Sequence, residues 1–186
     1  MKIKDIIKLS ATYLNREDVL SYLEGNTQTV DENILFQIDT FTRCANVIIS
    51  ELASTYFPLY TTEDFCTNNK KVYYKDLSER VLSIEGVLDV NGKNYDYTHF
   101  VEYFKTELSQ GVVKYRYLPN NYGLEDEIGY SEKDVAVRVL CFGTLGEFCL
   151  TERRFDESVM WRNRFTEEIA SILTPKNAVV KQRRFL

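Results

Sequence analysis

The stretch DENILFQIDTFTRCANVIISELASTYFP, Asp31 to Pro58, is the one around which the rest of the chain is organised. Apolar residues recur at Ile34, Leu35, Ile38, Phe41, Ala45, Ile48, Ile49, Leu52, Tyr56 and Phe57. Steps of three and four of this kind make a helical stripe wide enough to seat in a core. Asp31 is placed to accept a free first-turn amide, and its charge suits the positive end of the helix. Pro58 stops it, because a residue before proline is pushed out of the α region. Glu32, Asn33, Gln37, Asp39, Arg43 and Glu51 are expected on the polar side.

Upstream, Ile3, Ile6, Ile7, Ser10, Tyr13 and Leu14 share one face of a short amphipathic helix. Asn15 is read as the cap of a second, with Asp18 in a near capping-box position and Val19, Leu20 and Leu23 turned inward. Gly25 ends it. Downstream the period falls from helical to twofold. Val72–Tyr74 reads as a strand, and Val81–Val90 as another with a bulge at Gly86. Asn91-Gly92 signals a hairpin with positive φ at both central positions. Tyr95, Tyr97 and the run to Thr106 return, Ser109-Gln110-Gly111 turns the chain, and Val112–Leu118 ends at Pro119.

A polar loop with Glu125, Asp126 and Glu127 follows. Ser131 and Asp134 look like a capping box for a helix carrying Val135, Val139, Phe142, Leu145, Phe148 and Cys149. Gly143 and Gly146 inside that helix point to close helix packing, since a phosphate loop would precede a helix start. A last helix is expected from Phe155, capped by Asp156 and stapled by Phe155 and Met160. Its expected inner face is Val159, Trp161, Phe165, Ile169 and Ile172, up to Pro175.

The fold expected is therefore α+β: a bundle of about five helices with an antiparallel β-meander inserted between the third helix and the C-terminal pair. Residues 1–175 form one domain (1–58 helical, 59–119 the β insert, 131–175 the helical pair), and 176–186 an extended basic tail. One domain suits 186 residues.

The net charge is −5, but the tail holds Lys176, Lys181, Arg183 and Arg184 without an acid, which leaves −9 on residues 1–175. So acidic a body is a poor phosphate binder, while the tail suits an acidic surface. The N-terminus is too interrupted by charge for a signal peptide. No apolar run approaches the roughly 20 residues that span a bilayer, so a cytoplasmic place of synthesis is expected.

Catalytic signatures are lacking. Cys44, Cys66, Cys141 and Cys149 form no Cys-x-x-Cys pair and read as reduced core thiols. Cys141 and Cys149 would lie about 12 Å apart along a helix and cannot share a metal. His99 is the only histidine and reads as structural. The acids at 125–127 lack the ligand alternation of a calcium loop. No Walker loop, dinucleotide fingerprint or nucleophile elbow occurs. No cofactor or metal is implied, and an enzyme is not expected. Tyr95, Tyr97, Tyr115 and Tyr117 alternate along strands, but without enough interleaved lysine and arginine for a base-stacking platform, so packing or a protein interface is the expectation.

The order of elements resembles the head–tail connector (adaptor, or head-completion) proteins of tailed bacteriophages. The matching features are the long helix from Ile38-Asp39-Thr40-Phe41 to Glu51-Leu52-Ala53-Ser54-Thr55-Tyr56-Phe57-Pro58 and the β insert. The helix pair Val135–Glu152 and Phe155–Leu173 and the ending Lys181-Gln-Arg-Arg-Phe-Leu186 complete the pattern. The resemblance implies a virion structural protein at the head–tail junction, in a ring of about a dozen copies closed by heterologous contacts. Such a ring docks on the portal protein, extends the DNA channel without specific DNA binding, and offers a platform to tail or neck proteins. Lys181, Arg183, Arg184, Phe185 and Leu186 would then dock on the portal, and Glu125, Asp126 and Glu127 are candidates to face the channel. A neck or tail-completion protein, and a cytosolic module whose tyrosine-rich sheet holds a peptide or nucleic acid, are the alternatives.

Overall fold

A computed structural model describes residues 1–26 and 31–174. Helices α1 (Ile3–Tyr13), α2 (Glu17–Leu23) and α3 (Glu32–Glu51) open the chain. In α3 the expected stripe is buried from Ile34 to Ile49, and Asp31 Oδ1 accepts the Asn33 N–H at 2.9 Å. At Leu52 the backbone widens into a π-helical turn, Leu52–Tyr56, closed by the Phe57 N–H on the Leu52 carbonyl at 2.8 Å just before Pro58. Gln37, expected outside, is buried, while Leu35 stands exposed. α3 packs against α1 and α2 as well as α4, and that turns its inner arc toward Gln37.

Asn15 does not cap α2. It sits at φ +58° and closes α1 instead, donating its N–H to Thr12, while Arg16 donates to Ala11. This is a Schellman motif with asparagine in the left-handed position. Gly25 (φ +77°) closes α2 in the same way, and Arg153 (φ +60°) does so for the fourth helix, with the Arg154 N–H on Cys149.

The centre of the helical body is α4 (Val137–Thr151), against which α1, α3 and α5 (Phe155–Leu173) all pack. Every residue from Val139 to Gly146 is buried, as suits a helix that is apolar all round. Both glycines lie at close contacts. A Cβ at Gly143 would come 2.7 Å from Ile48 Cγ2, and one at Gly146 would come 3.0 Å from Arg162 Cγ. The Ser131–Asp134 pair forms, with Oγ donating to Oδ2 at 2.6 Å, but it closes a separate turn that seats Val135 in the core. The helix starts only after Ala136, whose ψ of 145° breaks the two apart.

Between α3 and α4 lie the strands β1 (Leu59–Cys66), β2 (Lys71–Tyr73), β3 (Arg80–Leu88), β4 (Asn94–Tyr95), β5 (Tyr97–His99), β6 (Tyr103–Thr106) and β7 (Gln110–Leu118). All their pairings are antiparallel, as expected, but the order is not that of a meander. One sheet runs β1-β7-β3-β4 and the other β2-β6-β5. β7, with Gly111, Val113 and Tyr115 inward, takes the centre, and β1, with only Leu59 and Phe65 buried, takes an edge. The bulge beside Gly86 is present, as a register shift between Ile84 and Gly86. The Asn91-Gly92 turn has positive φ only at Gly92, because it is a longer loop held by Asp89, whose Oδ1 accepts the Asn91 and Lys93 amides.

Two apolar cores result. The helices, joined by Leu59, Ile128 and Tyr130, share one; Phe65, Val72, Leu77, Ile84, Val87, Phe104, Val113 and Tyr115 fill the insert. Tyr117 touches both.

Candidate interaction surfaces

The groups able to do nucleophilic or metal chemistry are scattered or shielded. Burial pushes the Cys44 and Cys141 thiols up to about 12 and raises that of Cys149, which leaves all three as poor thiolates. Cys66 alone is exposed. His99 Nδ1 lies 3.3 Å from Tyr74 Oη at the surface, with no thiol or serine bonded to it. Among the described residues no group of three or more histidine, cysteine or carboxylate side chains is placed to hold a metal ion. No helix among them is long and apolar enough to cross a membrane.

The acidic loop is tied to the N-terminus. Glu125 accepts from Lys4 Nζ at 2.9 Å and Lys2 Nζ at 3.2 Å, and these bonds hold its carboxyl below the usual range. Asp126 Oδ2 accepts the Gly123 N–H at 2.6 Å. Backbone bonds from Lys4 to Leu124 and from Ile128 to Met1 complete the seam. Glu127 is exposed. Of the three acids expected at a channel, one is thus neutralised by two lysines that sequence distance had hidden. Lys181, Arg183, Arg184, Phe185 and Leu186, the expected docking residues, lie outside the described residues.

Among the described residues, two helices carry exposed stripes that include large apolar side chains. On α3, Phe36, Thr40, Arg43, Val47 and Ser50 follow one another at steps of four and three, with Phe36 62% and Val47 53% exposed. On α5, Phe155, Val159, Asn163, Thr166, Ala170 and Leu173 form an exposed stripe without a charge along the whole helix, about 28 Å. Val159 and Ile172 were expected in the core; Val159 is 60% exposed instead, because α5 faces α4 through Ser158, Trp161, Phe165 and Ile169. Its inner side is locked by Arg162, which grips Glu51 with both terminal nitrogens at 2.8 and 3.0 Å.

A third surface is the outer face of the β2-β6-β5 sheet. Tyr73 is paired with Tyr103, Phe100 stacks on Tyr103 at 4.7 Å, and Lys71 Nζ sits 4.5 Å above the Tyr103 ring. The tyrosines singled out in the sequence are not these: Tyr115 is fully buried and Tyr117 bridges the two cores.

Comparison with protein-family models and with curated proteins finds no match to this chain.

Proposed function

We propose that this protein is a non-enzymatic virion structural protein of the head–tail connector type. It forms a ring of about a dozen copies that docks on the portal, extends the DNA channel and carries tail components. The observation that supports this reading best is the pair of uncovered stripes on α3 and α5. A ring closed by rotation needs two unlike surfaces on each subunit, one to give and one to receive. Two helical faces with steps of four and three, one led by Phe36 and Val47 and the other uncharged from Phe155 to Leu173, meet that need. The charge layout agrees with it. A body at −9 repels DNA that must slide past, and a tail at +4 suits an acidic docking groove.

Val159→Asp tests it, since it puts a charge within the α5 stripe without touching the core. Native mass spectrometry of the full chain with its portal should give about a dozen copies for the unaltered protein. The variant should give free monomer at an unchanged melting temperature. A ring that forms equally well when every subunit carries Val159→Asp would remove the α5 face from the contact, and absence of any ring on the portal would end the connector reading. Arg183→Glu with Arg184→Glu should separately abolish portal attachment while leaving subunit contacts intact.

A further inference from the structure

We propose that the outer face of the β2-β6-β5 sheet binds a short single strand of nucleic acid, with phosphates on Lys71 and Lys105 and bases on Phe100 and Tyr73. One pairing in this sheet costs the fold energy. Antiparallel register sets Lys71 directly opposite Lys105, and Thr98 is Lys105's other neighbour. Like charges facing each other across strands destabilise a sheet. Among the described residues neither lysine has a carboxylate within ion-pair distance, nor does Lys75, whereas Glu107 at the end of β6 is bonded to Lys70. An anion laid between the two ammonium groups would remove the repulsion.

The rings beside them supply the second half of the recognition. Tyr73 and Tyr103 lie 5.5 Å apart at 59°, and Phe100 stacks on Tyr103 with a 20° tilt. Lys75 Nζ lies 5.6 Å from the Tyr73 ring centre, as Lys71 lies over Tyr103. Cation–π contact therefore holds the Lys71 and Lys75 ammonium groups over the face rather than out in solvent. Phe100 is half-exposed at the β5–β6 turn, next to Val101, which is 96% exposed. Flat rings next to directed ammonium groups match unpaired bases on a charged backbone. A duplex hides its base faces, and a chain of aspartates or glutamates brings no aromatic ring to stack. A face of three short strands takes about two or three nucleotides.

The acidic body limits the affinity. With about two or three phosphates neutralised, the slope of log K against log salt is about −1.4 to −2, roughly a tenfold loss between 50 and 200 mM salt. Such binding needs no ring, so strand binding and ring assembly can be lost separately.

The test is fluorescence anisotropy of the full chain with a labelled oligothymidylate at low and high salt. Unaltered protein should bind at low salt and weaken about tenfold at the higher. Lys71→Gln with Lys105→Gln should abolish binding and leave the melting temperature equal or higher, because a repulsion is removed. Phe100→Ala should weaken binding about tenfold. A tail variant, Lys181→Gln with Arg183→Gln and Arg184→Gln, should bind as before. Absence of binding at low salt, binding indifferent to the Lys71/Lys105 variant, loss in the tail variant alone, or equally tight binding of a polyglutamate peptide would each overturn the proposal.

Discussion

Gly143 sits against Ile48, so close that a methyl group added at the glycine would lie 2.7 Å from Ile48 Cγ2 and 3.0 Å from its Cγ1 and Cδ1. Ile48 is fully buried and has nowhere to retreat. Gly143→Ala gains about 1 kcal/mol in helix propensity but incurs overpacking of about 1–3 kcal/mol, so a net loss in urea unfolding is expected. Combined with Ile48→Ala, the two losses should sum to less than expected by about 1 kcal/mol, since one substitution makes room for the other. Gly146→Ala should cost less, because its nearest neighbour is the flexible stem of Arg162.

Arg153 holds a left-handed conformation at φ +60° to close α4. A side chain there costs about 1–2 kcal/mol, and glycine in its place gives back part through unfolded-state entropy. Arg153→Gly should therefore raise stability by about 0.5–1 kcal/mol, a melting-temperature rise of a few degrees. A fall in calorimetric melting temperature would show that the exposed arginine contributes something that its contacts do not reveal.

Tyr115 Oη donates to Glu63 Oε2 at 2.8 Å inside the insert. Burial alone would raise the Glu63 carboxyl, but the Ser78 N–H and the Tyr115 O–H outweigh it and hold the group below the usual range. A depressed carboxyl stabilises above its unfolded value and loses that contribution as pH falls through the folded one. Burial and the bond to Glu63 push Tyr115 up to about 12. A raised phenol contributes fully below about 10 and loses its contribution as pH rises through about 12. Glu63→Gln should flatten the acid limb of urea-midpoint against pH and lower the Tyr115 titration, read from phenolate absorbance. An unchanged acid limb would place the sensitive carboxylate elsewhere.

Of the four cysteines, Cys66 alone is exposed, and burial keeps the other three protonated. A thiol reagent at mildly alkaline pH should modify one equivalent quickly in the native protein and four in denaturant. Cys66→Ser should remove the fast phase.

What could be read in the residues was local. The α3 stripe, the Asp31 cap, Gly25 and the bulge at Gly86 each declare themselves within a few positions. Asn15 misled because asparagine serves both a helix start and a left-handed helix stop, and only the Arg16–Ala11 bond decides. β1 was silent because an edge strand buries only two of its residues and keeps Thr, Glu and Asp between them. Strand order is a long-range property, and so are the surfaces built on it. Lys71 and Lys105 share a face only through register, and Glu125 finds Lys2 and Lys4 only through the folded seam. α5 was placed correctly, with Trp161, Phe165 and Ile169 inward as expected, but Val159 and Ile172 were set in the core, since Val159 carries the same hydropathy on an exposed face as in a core. The charge of the C-terminal tail was legible.

The strands of the insert depart from the helical body and come back to it side by side, Leu59 against Tyr117. Antiparallel neighbours of this kind are only about 5 Å apart, and the insert has an apolar core of its own. The helices therefore accommodate a lobe spanning residues 59–118 through a doorway one strand pair wide. A short turn across that doorway would close the chain at little entropic cost. The lobe is in effect a cassette, filled by its own apolar side chains and joined to the helical chassis by one pair of neighbouring strands.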